Sequence, residues 1–159
     1  MSALLLSAFL NLAALVASLA FVAFGALLVP DVGEVAMLKM ALGVISQEDQ
    51  TLQLFVSNTT PAEGDTAGTY TIATGGGYAD KTLTKTSWSV STSSGTTTGS
   101  YAEQTYTFTG ALTTNTTIYG YLVKMASAGT LLWAERASAT FVPANNGDTY
   151  KVTPTITQD

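Results

Sequence analysis

The chain contains no cysteine and no histidine, and its 159 residues include six Lys and Arg against eleven Asp and Glu. The common nucleophilic thiol, the commonest general base and the usual zinc ligands are therefore missing, which excludes Cys–His dyads, Ser–His triads and zinc chemistry. No disulfide can staple the fold, so stability must come from a packed core. The net charge of −5 opposes contact with a phosphate backbone, which needs clustered Lys and Arg. Nucleic acid is not an expected partner, and no cofactor or metal is expected.

Charge is absent altogether from Met1 to Pro30; the first charged side chain is Asp31. A run of this length exceeds the roughly 20 residues that cross a bilayer core as a helix, so it must meet lipid, its own copies or another protein. Leu, Ala, Val and Phe dominate it and no proline interrupts it before Pro30. A continuous helix over residues 1–29 is expected, roughly 40 Å long at about 1.5 Å per residue. Ser18-Leu19-Ala20 would pass as a signal-peptide cleavage site, but Met1-Ser2-Ala3 carries no Lys or Arg, and a retained anchor or assembly helix is the expectation. Ser7, Asn11, Ala14, Ser18, Phe21 and Gly25 fall on a heptad seam, the pattern of small and polar groups through which helices associate away from water. The plainer reading is that Ala and Ser are frequent here.

Residues 30–50 read as a short helix and connector. Asp31-Val32-Gly33-Glu34 opens a helix that runs to Leu42, with Val35, Leu38 and Leu42 on its packed stripe and Gly43 as a left-handed terminator. Packing on an edge or end of the domain is expected.

From Thr51 the hydrophobic period changes to two: Leu52, Leu54 and Val56 alternate with Gln53, Phe55 and Ser57. Further strands are expected at Thr69–Ala73, Thr82–Val90, Tyr101–Thr109, Thr116–Met125, Thr130–Arg136, Ala139–Val142 and Thr149–Ile156, separated by Gly, Ser, Asn or Pro. Residues 51–159 thus read as an antiparallel β-sandwich or jelly roll, making the chain mainly β. Ala126-Ser127-Ala128-Gly129 and Asn145-Asn146-Gly147-Asp148 are the clearest turns, and Ser93-Ser94-Gly95 reads as a mobile loop tip.

The candidate sites each have a structural competitor. Asn58-Thr59-Thr60 and Asn115-Thr116-Thr117 match the glycosylation pattern, as chance would in a Thr-rich chain. Glu63, Asp65, Asp80 and Asp148 are oxygen donors without calcium-loop spacing, so solvated loop carboxylates are the better reading. Tyr101, Tyr106, Phe108, Tyr119, Tyr121, Trp88 and Trp133 would serve a host-glycan platform, but aromatics at strand spacing are more often core. Gly75-Gly76-Gly77 lacks the Lys-Ser/Thr of a phosphate loop and reads as a turn or bulge. Trp133, Glu135 and Arg136 sit on one strand, Trp133 and Glu135 on one face and Arg136 on the other. They are candidate surface or partner contacts, with structural pairing as the alternative.

Several stretches resemble small, uncharacterised virion structural proteins of environmental tailed bacteriophages: Val29-Pro30-Asp31-Val32-Gly33-Glu34, Thr60-Pro61-Ala62-Glu63-Gly64-Asp65, Gly76-Gly77-Tyr78-Ala79, Tyr119-Gly120-Tyr121, Leu131-Leu132-Trp133-Ala134-Glu135-Arg136 and Asn146-Gly147-Asp148-Thr149. The resemblance covers residues 29–159 and implies a non-enzymatic particle component located in the virion, as capsid decoration or beside the tail or fibre. It supplies no catalytic residue. Such proteins begin close to the Val-Pro pair, so the apolar segment before it departs from the group. Partners expected on this reading are other copies of the chain and other structural proteins, with lipid at residues 1–29 as a further candidate. The competing expectation is a pilin-like surface filament subunit, membrane-anchored before assembly, with a hydrophobic helical core and an exposed Thr-rich β domain. A glycan hydrolase would need two carboxylates flanking a cleft, which this sparsely acidic chain does not suggest.

Overall fold

A computed structural model describes residues 27–158. Its strands are β1 (Leu27–Leu28), β2 (Gln50–Phe55), β3 (Lys81–Leu83), β4 (Ser89–Ser93), β5 (Thr96–Ser100), β6 (Gln104–Thr107), β7 (Ile118–Met125), β8 (Leu131–Phe141), β9 (Thr149–Val152) and β10 (Thr155–Gln158), with one α-helix, α1 (Asp31–Ala41). All the strand pairs are antiparallel, in a five-stranded sheet of order β1-β8-β7-β2-β3, a three-stranded sheet β10-β5-β4 and a pair β6-β9. The fold is mainly β. A division into five, three and two strands differs from the double Greek key of a jelly roll.

The five-stranded sheet is covered on both faces. Alternation along β2 sends Leu52 and Leu54 to one side, where they join Val56, Val123, Trp133, Tyr106, Phe108 and Val152 in the larger core. Phe55 points the other way, against Tyr70, Leu122, Leu131 and Ala134. Leu52, Leu54, Phe55, Val56, Phe108, Leu122 and Val123 are fully buried, each contributing about 1.5–3 kcal/mol by leaving water. Polar groups within the layers are matched: the Tyr106 hydroxyl donates to the Leu52 carbonyl at 3.2 Å. The Leu54 N–H donates to the Tyr78 hydroxyl at 2.9 Å, and that hydroxyl donates onward to Asp80 at 2.9 Å.

Several strands differ from the sequence expectation, each for a local reason. Thr69–Ala73 forms no strand; a 3-10 turn at Ala67–Thr69 leads to a single bridge between Phe55 and Ile72. The run Thr82–Val90 breaks into β3, a 3-10 turn at Lys85–Ser87 and β4, because the Tyr101 hydroxyl and the Asp49 carboxylate take the Thr84 and Lys85 N–H groups. Ser93-Ser94-Gly95 lies at the tip of a hairpin. Ser94 and Gly95 have φ of 51° and 92° and form the two-residue turn of the β4–β5 hairpin, across which Thr92 and Thr97 hydroxyls meet at 3.0 Å. Thr130–Arg136 and Ala139–Val142 merge into β8, which bulges where its five steps from Arg136 to Phe141 accompany two on β7 from Gly120 to Ile118. Pro154, which has no N–H to give a ladder, separates β9 from β10.

The apolar opening also differs from expectation where it can be followed. Leu27 and Leu28 are extended and pair with Glu135 and Ala134 of β8, so the helix expected over residues 1–29 does not reach Val29. Pro30, extended at ψ 163°, then starts α1, with Asp31 and Glu34 in the first turn and Lys39 in the last, matching the helix dipole. Gly43, at φ 71°, ends it as expected. The Gly43 N–H bonds the Met40 carbonyl and the Val44 N–H the Lys39 carbonyl, the two bonds of a Schellman motif.

Three glycines set how closely these parts approach. A Cβ on Gly33 would lie 2.2 Å from the Leu132 carbonyl oxygen, so α1 rests on the β8 edge only because that residue has no side chain. A Cβ on Gly120 would meet the Phe55 ring at 2.5 Å. Gly76 combines φ of 55° with a Cβ position 2.5 Å from the Gly110 carbonyl oxygen. Gly76→Ala is therefore expected to lower unfolding free energy by about 1–3 kcal/mol in urea titrations. Gly64→Ala, whose Cβ meets nothing within 4 Å, should stay within about 0.5 kcal/mol of the parent.

Candidate functional site

Helix α1 is apolar on two opposite sides. Gly33, Ala36, Met37 and Met40 face the larger core, the first two small enough to bring the helix axis close to β8. The stripe expected to pack, Val35, Leu38 and Leu42, instead faces outward together with Val32, and these side chains are 37–70% exposed. At 3.6 residues per turn the two sets lie on opposite sides of one cylinder, so the sheet can cover only one of them. The set with small side chains won because it permits the closer approach.

Beside the outward stripe runs a groove of about 640 Å³ between α1, the connector that follows it and the β7–β8 turn. Val32, Val35, Ile45 and Met125 supply apolar wall, while Asp31, Lys39 and Glu48 also line it. Glu48 fixes one side of the groove by accepting the Ser127 and Ala128 N–H groups at 2.8 and 3.2 Å. Those two backbone donors hold its carboxyl below the usual carboxylate range. Val90, 72% exposed, lines a cavity with Met37 and Leu38 of the helix, and Val44, 66% exposed, follows its C-terminus.

Of the candidate contact residues on β8, Trp133 is only 3% exposed and packs edge-on against Trp88 at 5.8 Å, so it is a core residue and offers no surface. Glu135, on the same side of the strand, accepts a short hydrogen bond from the Tyr121 hydroxyl. Burial, followed by that carboxylate, pushes the Tyr121 pKa up. Glu135 also lines a mixed polar cavity of about 360 Å³ with Tyr150, Ser138 and Thr155. Arg136 projects to the opposite face, lies over the Tyr119 ring at 5.3 Å and donates to the Thr59 carbonyl at 2.9 Å and to the Asn58 side chain. It holds a loop. The seam residues Ser7, Asn11, Ala14, Ser18, Phe21 and Gly25 lie outside the described residues.

The remaining candidates resolve into structural roles. Asn58 is engaged by Arg136, and the Asn115 amide donates to the Val56 carbonyl at 2.8 Å. Asp65 accepts from Ala62 N–H and the Tyr70 hydroxyl, Asp80 from Gln53 and Tyr78, and Asp148 from the Ala144 and Asn145 N–H groups. Among the described residues no three acidic groups gather as a metal site would require. Tyr106 and Phe108 are buried, and Trp88 and Tyr101 pack against each other at 5.1 Å, so these four form no flat glycan platform. Gly75, Gly76 and Gly77 all have positive φ and pack against residues 109–113, a tight crossing of two loops.

A smaller cavity of about 290 Å³ lies between α1 and the β4–β8 side of the core. Gln50, Trp88 and Trp133 all border it, and among the described residues Gln50 Oε1 and Trp88 Nε1 have no hydrogen-bond partner. Both atoms are sealed from solvent. The walls that remain are Met37, Met40, Val90, Leu132 and Ile156, which are apolar.

Comparison with protein-family models, curated proteins and solved structures finds no match. Among the described residues the prominent apolar surface is the aliphatic face of α1. Sequence periodicity placed Val35, Leu38 and Leu42 on one stripe of a helix expected to pack on an edge or end of the domain; the competing stripe Gly33, Ala36, Met37 and Met40 carried the signal that two faces existed.

The Glu48 contact makes a pH prediction. Its folded pKa lies below the unfolded value of about 4.3, so the folded state binds fewer protons through that range. The contribution is present above about pH 4.3 and is lost as pH falls through the depressed folded value. Glu48→Gln should remove this component, so that chemical unfolding measured from pH 3 to pH 6 shows a shallower rise in stability than the parent.

Proposed function

We propose that this protein is a non-enzymatic structural component of a phage particle, decorating the capsid or associated with the tail or fibre, whose copies associate through apolar N-terminal surface. The observation that carries the reading is the outward aliphatic face of α1, placed directly after a thirty-residue stretch with no charge. Exposed apolar surface of this kind marks association sites. The phage-like stretches supply the setting. Their residues serve structure: Gly33 seats α1, Gly76 permits the loop crossing, Gly120 accepts Phe55, and Trp133 fills the core. A framework of this kind suits a subunit that repeats in a lattice or along a tail.

The pilin-like alternative shares the two-part architecture, and the β1 pairing weighs against it. A filament core helix would run unbroken into the domain, whereas Leu27–Leu28 is extended and Pro30 separates it from α1.

Removal of residues 1–26 is expected to leave a folded, monomeric domain that no longer enters particles, because β1, α1 and both cores are retained. Sedimentation velocity and incorporation into purified particles measure the two halves of this expectation. A truncated chain that still incorporates at parental level overturns the proposal. Antibody labelling on heads or tails in electron micrographs supports the virion, and uniform fibres made of this chain alone support the filament.

A further inference from the structure

We infer that the outer face of α1 and its adjoining groove receive the apolar segment Met1–Ala26 of a second copy of the chain. The inference rests on the assembly reading above and names the surface through which it acts.

Chemistry defines the occupant. Groove wall and helix stripe are aliphatic, from Val32 and Val35 through Ile45 and Met125 to Leu38 and Leu42, while Asp31, Lys39 and Glu48 place charge beside them. A charged or strongly polar segment would have to bury unpaired groups against the aliphatic walls, whereas a Leu-, Val- and Phe-rich segment buries none there and leaves Asp31, Lys39 and Glu48 at the rim. Residues 1–26 are a stretch of that composition, and none of their side chains is charged.

Direction separates the neighbour's segment from the chain's own. Leu28 lies opposite Ala134 and Leu27 opposite Glu135, so the chain traced backward from Leu27 advances along β8 toward Arg136. Helix α1 sits at the other end, its Gly33 against Leu131 and Leu132. The described chain therefore begins, at Leu27, at the end of this pairing remote from its own α1 face.

Size argues against two α1 faces simply closing on each other. A stable interface buries roughly 800 Å² on each partner, and four part-exposed aliphatic side chains along an eleven-residue helix fall short of that. A 26-residue segment that crosses the stripe and fills the groove adds the groove walls to that contact. Reciprocal exchange between two copies doubles the contact, and head-to-tail exchange propagates it.

The cysteine-free chain allows a direct test on the full-length protein. Val35→Cys carrying one affinity tag is co-expressed with Ser7→Cys, Ala14→Cys or Phe21→Cys carrying another, and disulfides are formed by mild oxidation. The expected result is mixed-tag dimers joining Val35→Cys to at least one segment position, at a yield at least about tenfold above that of Asn146→Cys, which sits in an exposed turn. Disulfides confined to one chain in a Val35→Cys, Ala14→Cys double variant place the chain's own segment on the face and overturn the exchange. Dimers joined only through segment positions overturn this inference while leaving assembly through the N-terminus standing. A monomer by sedimentation with no mixed dimer at any position overturns both.

Discussion

Strand β7 is hydrogen-bonded on both sides, to β2 and to β8, and has buried side chains pointing to both faces of the sheet. A strand in this position cannot be stable until both faces of its sheet are covered, and every other element is placed by what it must cover. The β6–β9 pair and the three-stranded sheet close the larger face, with Tyr106, Phe108, Val152 and Ile156 as their contributions. The loop that carries Tyr70 and Ile72 closes the smaller one, its Tyr70 ring 4.8 Å from Phe55. Helix α1 then covers the β8 edge and part of the larger core. Among the described residues most large apolar side chains are taken up by this sheet and its covers, which makes the exposed side of α1 conspicuous.

Close approach decides the details. With seven fully buried large side chains clustered around β2 and β7, the layers have little room for adjustment, and the loops reach them through glycine. Gly120 opens the space that the Phe55 ring occupies, and Gly33 lets a helix axis come against strand carbonyls. Where a glycine is absent the contact is made by a hydroxyl: Tyr78, Tyr101 and Tyr106 each bond a backbone group in another segment. Burial raises the pKa of Tyr78 and Tyr106, so the hydroxyls that tie the layers keep their protons in any neutral or mildly alkaline solution.

Much of the β architecture was legible because alternation in Leu52–Val56, Ile118–Met125 and Leu131–Arg136 reports a sheet with two unlike faces. The β4–β5 hairpin was not, since a strand of Ser and Thr whose side chains are mostly solvated has no hydrophobic period to read. The break at Thr84 was hidden for a different reason: its acceptors, Tyr101 and Asp49, are distant in sequence. The helix α1 was read correctly in its limits and wrongly in its orientation. Both of its faces are apolar, and periodicity locates a face without saying which of two a sheet will accept. Side-chain size settles that question, through Gly33 and Ala36, and size matters only once the β8 carbonyls are in place.

That orientation has an energetic consequence for the whole chain. Val32, Val35, Leu38 and Leu42 keep 37–70% of their surface in water, which forgoes on the order of 4 kcal/mol relative to full burial. Turning the helix over would bury that stripe at the expense of Ala36, Met37 and Met40, and would drive Cβ and larger groups into the Leu131 and Leu132 backbone. Association carries its own cost, about 4–15 kcal/mol in lost translational and rotational freedom, which the α1 stripe by itself does not offset. An uncharged segment of many Leu, Val, Phe and Ala residues changes that balance, because each large side chain it buries adds about 1.5–3 kcal/mol. In the proposed exchange the helix face is the site and the N-terminal segment the main driving force. Because the two are joined in one chain through β1, a subunit donating its segment in that exchange would also present a face to receive another.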